Sequence, residues 1–240
     1  MELTYLTPKQ NAFEEAYIKA REEENRVYSS DEIRSLPYLN ATHDHYDEWK
    51  LRIKSTERFI DYIKNKSVNN ILDLGCGNGW FTSLIAKNNP GEVLGMDVND
   101  IELRQAFKTF KRVNLTFAYG DVFKADFQQS FDVIVLNSSI QYFENLPALI
   151  ERLKSLLVEH GEIHIIDSPL YDTVDQAQKA SERTKEYYSK LGFPEMSENY
   201  HHHLKKDLED FEVLYKPSRL SKIIGKKDVP FGWYRYTHEL

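Results

Sequence analysis

"ILDLGCGNGW", residues 71–80, sets glycines at 75, 77 and 79 directly behind an apolar run. Each glycine costs backbone entropy on folding, so the triplet needs a reason. It marks either a tight turn between two elements or a backbone that must come very close to a ligand. With "WFTSLIAKN" following, the stretch reads as strand, turn, helix. The alternation continues downstream. "GEVLGMDV", "NLTFAYGDVF", "FDVIVLN" and "GEIHIIDS" read as strands, with "IELRQAFKTFK" and "LPALIERLKSLLVEH" as helices between them. Such alternation implies parallel strands joined by crossover helices. A run such as "VIVL" suits a strand buried on both faces. The expected fold is α/β, a doubly wound, mostly parallel sheet.

Upstream, residues 10 to about 35 are charged and helix-prone, with Phe13, Ala16, Tyr17 and Ala20 at helical spacing. "LPYLNATHDHY" reads as a loop. The next helix carries the stripe Trp49, Ile53, Phe59, Ile60 and Ile63, with Asp44 or Asp47 as its cap. After Asp167 a polar, Tyr-rich stretch leads to two closing strands, "FEVLYKP" and "FGWYRYTH". The expected organisation is an N-terminal helical extension or lid over residues 1–45 and a main domain over 46–240. That domain carries a helical insertion at about 170–208.

The 240 residues hold 31 Lys and Arg against 38 Asp and Glu, a formal net charge of -7. That balance lacks the positive footprint on which phosphate binding rests, so nucleic acid is not expected as a partner. The one local basic run, "KIIGKK" at Lys222 to Lys227, reads as a solvated loop. A single cysteine, Cys76, excludes an intramolecular disulfide and a thiolate metal cluster. No apolar run approaches the roughly 20 residues that cross a bilayer. The N-terminus has no signal-peptide pattern, so a cytoplasmic chain with no membrane partner is expected.

The glycine spacing bears on the ligand. A nicotinamide-type turn needs G-x-G-x-x-G, but the third glycine position counted from Gly75 is Trp80. Asp73 beside the turn would repel a diphosphate and would accept from an ammonium, which points to a ligand carrying an amino acid. Here the sequence resembles the class I S-adenosylmethionine-dependent methyltransferases, over roughly residues 55 to 168. "ILDLGCGNGW" is similar to their first motif. The resemblance implies that Asp73, Gly75, Cys76, Gly77 and Gly79 wrap the methionine half of S-adenosylmethionine. "LGMDV" resembles their second strand, whose terminal acid, Asp97, would bind the ribose hydroxyls. Asp97 lies about 20 residues past the turn, where a ribose-binding acid belongs. Val98 would face the adenine. "YGDVF" resembles the third motif, with Asp121 accepting from the adenine amino group and Val122 beside it. "FDVIVLNSSIQYF" resembles the fourth strand and its turn, with Asn137 near the cofactor. The fold implied is Rossmann-like with an antiparallel closing strand.

The activity implied is methyl transfer to an O, N or C atom of a small molecule. Such a transfer needs alignment, exclusion of water and, for some acceptors, removal of a proton. It needs no protein nucleophile. Acceptor-binding residues are expected in the segments flanking the shared motifs. His43, His45 and Tyr46 precede or begin the helix before the first strand. Tyr171, Tyr187, Tyr188, Tyr200 and His201 to His203 follow the fifth strand. Taken singly, each reads more readily as a packed or exposed side chain. Three consecutive histidines diverge on a helix or a strand, so no metal site is expected. His45 and Tyr46 are the catalytic candidates, and Arg52 a bidentate clamp on the cofactor's carboxylate. Two other readings stay open: an NAD(P)-dependent oxidoreductase, which Trp80 and Asp73 oppose, and an S-adenosylmethionine-binding module without chemistry.

Overall fold

The fold is a computed structural model that describes residues 3–9, 11–217 and 228–239. The side chain of Phe13 and the run Lys222 to Lys227 lie outside the described residues. In chain order the elements begin with β1 (Thr4–Tyr5), α1 (Asn11–Glu23), α2 (Ser30–Ser35), α3 (Tyr46–Ile63), β2 (Asn70–Leu74), α4 (Trp80–Asn88), β3 (Glu92–Asp97) and α5 (Asp100–Thr109). They continue with β4 (Leu115–Tyr119), β5 (Phe131–Asn137), α6 (Leu146–Lys154), β6 (Leu157–Ile166), α7 (Val174–Leu191), β7 (Glu212–Tyr215) and β8 (Trp233–Thr237).

One sheet runs β1-β4-β3-β2-β5-β6-β8-β7. The pairs from β1 to β6 are parallel, and β8 is antiparallel to both β6 and β7. Strand side chains alternate between two cores. Ile71, Val133 and Val135 pack with Phe59 and Ile63 of α3 and Phe81 and Ile85 of α4. Leu72, Ile134 and Leu136 pack on the opposite face with Leu149 and Leu153 of α6. Burial on both faces is why these strands are near-continuous apolar runs. Chain order reverses at β2, which pairs with β3 on one side and β5 on the other. In open α/β sheets that reversal opens a crevice beyond the strands' carboxyl ends.

Four local expectations need correction. The helical stretch before residue 35 is two helices, because Asn25 takes a left-handed φ of 54° and Ser29 starts α2 with a capping box to Glu32. Neither Asp44 nor Asp47 occupies the N-cap of α3; His45 does, without a side-chain cap bond. The helix expected through His160 stops at Lys154, and Leu157 already pairs with Phe131 in β6. The apolar Leu156 and Leu157 suit a strand cover as well as a helix face, so periodicity did not separate them. Finally, residues 1–45 also contribute a strand, β1, whose Thr4 and Tyr5 pair with Ala118 and Tyr119. Two residues are too few to carry a period. No helix among the described residues is long and apolar enough to cross a membrane.

Candidate functional site

The glycine turn joins β2 to α4 at the carboxyl edge of the sheet. Met96 O accepts from the amides of Gly75 and Cys76, at 2.8 and 3.2 Å, which binds the turn to β3. Gly75, Gly77 and Gly79 all have left-handed φ, of 76°, 52° and 76°. A Cβ at Gly75 would lie 2.5 Å from Ser139 Cβ, and one at Gly79 2.6 Å from the Phe117 ring. Those two glycines are needed for packing. At Gly77 the nearest atom is a Glu102 carboxylate oxygen at 3.3 Å, and this residue faces a cavity. Both answers to the glycine question therefore hold, at different positions.

The cavity has a volume of about 380 Å³ and lies over the carboxyl ends of β2, β3 and β5. Asp97 sits at its edge, accepting the Gly77 amide at 2.7 Å through one carboxylate oxygen and the Asn99 amide at 2.9 Å through the other. A carboxylate has about four lone-pair positions, so both oxygens keep capacity toward the cavity. Burial raises the Asp97 pKa against the pull of these amides. Two buried polar atoms on the wall have no partner: Asn137 Oδ1 and Asn99 Nδ2. Buried polar groups are ordinarily bonded, so orphans that line a cavity mark where a ligand's polar atoms belong.

Of the expected binding residues, Arg52, Asp73, Gly75, Cys76, Gly77, Asp97, Val98, Asp121, Val122 and Asn137 line this cavity. Gly79 does not; it starts α4 from behind the turn. Asp73 is buried, accepts from the Thr82 hydroxyl at 2.7 Å, and is pushed up to about 7 by burial and the Asp97 charge. Asp121 is held by the Phe123 amide at 3.0 Å and Lys124 at 2.9 Å. Cys76 is buried in the turn, and burial raises its thiol pKa.

The two catalytic candidates are not brought to the site. His45 Nε2 lies 2.9 Å from the Glu24 carbonyl, and Tyr46 lies 5.7 Å from the Lys50 ammonium. Neither lines the cavity or its neighbour. The cavity face of this helix start is Glu48, Trp49 and Arg52, and helical geometry turns residue 46 away from it. Sequence reasoning missed Glu14, Tyr17 and Arg21 of α1, Glu102 of α5 and Tyr142, which complete the wall. Tyr17 packs edge-on to Tyr142 at 5.8 Å, and Arg21 donates to the Tyr142 hydroxyl at 3.1 Å. The helical stripe containing Tyr17 was the available signal, but a stripe does not say what it covers.

A second cavity of about 660 Å³ adjoins the first. Arg21, Arg26, Glu48, Arg52, Ser138 and Tyr142 line both. Tyr171, Tyr187, Tyr188, Tyr200 and His202 face the second one. His203 instead turns Nε2 toward the Ile140 carbonyl at 3.0 Å, so it diverges from His202, while its ring lies 6.3 Å from that of His201. Ser138 and Asp167, which follow β5 and β6, hold left-handed φ of 57° and 50°. Such strain in non-glycine residues is concentrated at ligand clefts.

A family described as "Methyltransferase domain" matches residues 65–219. A malonyl-[acyl-carrier protein] O-methyltransferase of Acetivibrio thermocellus is 26% identical over 152 residues, which is 59% of this chain and 54% of that protein. The chain thus spans about half the length of this curated relative. Two solved structures share the fold. N-methyltransferase NodS from Bradyrhizobium japonicum, in complex with S-adenosyl-l-homocysteine, aligns with a TM-score of 0.55 and 15% identity, covering 92% of this chain and 98% of that one. The plantazolicin methyltransferase BpumL, in complex with a monoazolic desmethylPZN analog and SAH, aligns with a TM-score of 0.54 and 18% identity, covering 95% and 98%. The glycine turn, the acid at the tip of β3 and the match across most of the chain agree: this chain belongs to the methyltransferase-domain family.

Proposed function

We propose that this chain transfers a methyl group from S-adenosylmethionine to a small molecule. The observation that carries the reading is the pair of adjoining cavities with a common wall at Arg52, Ser138 and Tyr142, one on the glycine turn and one beyond it. The first suits an adenosyl amino acid. Asp97 would hold the ribose hydroxyls, with Val98, Asp121 and Val122 at the adenine. Gly75, Cys76, Gly77, Asn137 and Arg52 would hold the methionine half, and Asp73 would add negative charge near its ammonium. Bound there, the sulfonium supplies an activated methyl carbon. The chain's own task is to align an acceptor and keep water out.

Residues 1–45 act as a cover in this reading, since α1 walls the first cavity with Glu14, Tyr17 and Arg21. The insertion at about 170–208 lines the second with Tyr171, Arg183, Tyr188 and His202, which in this reading would meet a small acceptor. The second cavity also favours an enzyme over a module without chemistry, which would need the first cavity alone. Calorimetry tests the cofactor. S-adenosylhomocysteine is expected to bind at micromolar concentration, with no heat from NAD or NADP. The reverse pattern would return the chain to the oxidoreductase reading.

A further inference from the structure

The second cavity carries a charge pattern that bears on which acceptor it takes. Four arginines line it, and three are already paired. Arg21 meets Glu24 at 2.9 Å, Arg26 meets Glu48 at 2.6 Å and Arg52 meets Glu48 at 3.1 Å. Arg183 of α7 has no carboxylate partner among the described residues. An exposed arginine is commonly just solvated, so Arg183 alone decides nothing. Its neighbours decide it.

His202 Nδ1 lies 3.2 Å from the Tyr171 hydroxyl, while its Nε2 is buried without a partner. Burial, with the nearby charges of His203 and Arg183, holds this imidazole below its ordinary pKa, so it is neutral with one N–H. In the tautomer in which the Tyr171 hydroxyl donates to Nδ1, the N–H sits on Nε2 and lacks an acceptor. Arg183, Tyr171 and His202 line the same cavity, so the guanidinium and the orphaned ring nitrogen open on one space. A guanidinium beside a buried, unmatched donor is a receptor for an oxyanion.

A different demand arises near the common wall. Gln141 is buried, and its Nε2 donates to the Ser138 carbonyl at 2.6 Å, which orients the amide. Its Oε1 is buried with no donor. Asp167 also lines the cavity, with one carboxylate oxygen accepting from Ser55 at 2.5 Å. The Ser138 amide donates to Ile166 O, so the ends of β5 and β6, and with them Gln141 and Asp167, are neighbours. Both present acceptor oxygens, which call for a hydroxyl or an amine.

We infer that the second cavity binds a small hydroxy or amino acid in one orientation, its anionic group on Arg183 and His202 and its hydroxyl or amine on Gln141 and Asp167. This rests on the methyl-transfer reading above and deepens it. The end that carries the exchangeable proton faces the wall common to both cavities, and the anion is held away from it. Tyr171, Tyr187, Tyr188 and Tyr200 give the passage aromatic sides, suited to aromatic as well as aliphatic acids.

The test uses the full chain saturated with S-adenosylhomocysteine and measures binding of matched probes. These are aliphatic and aromatic hydroxy acids, amino acids and their phosphorylated analogues, each beside its neutral amide or dephosphorylated form. A charge-assisted bond predicts that acids bind about ten- to a hundredfold better than their neutral partners. The preference should disappear in Arg183→Gln and return in part in Arg183→Lys, with S-adenosylhomocysteine affinity unchanged in both. Carboxylates against phosphates would tell which anion the receptor takes. Acids and neutral forms binding alike, or neither binding, would overturn the inference, as would a preference that survives in Arg183→Gln. Wild-type protein that fails to bind S-adenosylhomocysteine would instead overturn the reading beneath it.

Discussion

Asp97 Oδ2 accepts the Gly77 amide, so the residue proposed to hold a ribose also ties the glycine turn to β3. Replacing it removes a ligand contact and loosens the turn together. Asp97→Ala is expected to weaken S-adenosylhomocysteine binding by about 1.5–3 kcal/mol, the scale of hydrogen bonds to a charged group. Asp97→Asn, which keeps an acceptor oxygen for one amide, should lose less. Calorimetry beside a thermal melt separates the contributions: unchanged affinity in a folded Asp97→Ala would remove this residue from the ribose. Glu102, beside Gly77, is pushed up to about 7 by burial and by the Asp97 charge. The cavity thus gathers more acid than its surroundings readily ionise, a setting that favours a cationic ligand.

Among the elements, α1 has the role least visible in one dimension. It touches the rest of the site through Tyr17 and Arg21 on Tyr142, which lies in the 3-10 turn after β5. Tyr17→Ala removes an edge-on aromatic pair worth about 0.5–1.5 kcal/mol. It should weaken S-adenosylhomocysteine binding about two- to tenfold while the melting temperature moves little, because the Tyr17 contact lies outside the two sheet cores. A large melting loss with unchanged affinity would make α1 a structural brace instead. The elements themselves were largely legible. α4 and β5 coincide with the runs "WFTSLIAKN" and "FDVIVLN", since apolar length and flanking turn residues mark both. Strand tips were legible too: Asp97 and Asn137 end β3 and β5, and strand ends in a parallel sheet face the crevice. His45 and Tyr46 line neither cavity, because proximity in sequence to α3 does not fix which way residues at the helix start turn. Glu102 and Tyr142 went unseen because their place depends on how α5 and the turn after β5 pack, which no local pattern encodes.

At the scale of the whole molecule, titration divides the chain into opposed groups. Asp73 and Glu102, raised to about 7, titrate near about 4 when unfolded. Between those values the folded protein keeps protons the unfolded chain has released. Their contribution to stability is complete below about 4 and is lost as the pH rises through about 7. Glu48, Asp100 and Glu162 run the other way. Burial opposes their charge, but Arg26 and Arg52, Arg104 and Lys9, and His164 and Lys66 respectively bring each down to about 2. Their contribution is present above the ordinary carboxylate range and lost as the pH falls toward about 2. His164, kept neutral by burial, removes stability as the pH drops below about 6.5. Glu102→Gln isolates the first group: it should match wild type near about pH 5 and melt higher near about pH 8, in the absence of ligand. A variant that gains nothing on the alkaline side would show Glu102 ionised without cost. The sheet order has a further consequence, for the sequence of events as the chain is made. Among the described residues β7 pairs only with β8, which connects it to β6. Within the described sheet β7 therefore has no strand to pair with until β8 is in place. At the opposite edge β1 precedes β4 in the chain and has its described pairing with β4 alone. Both margins of the described sheet thus pair with strands that lie later in the chain than their own.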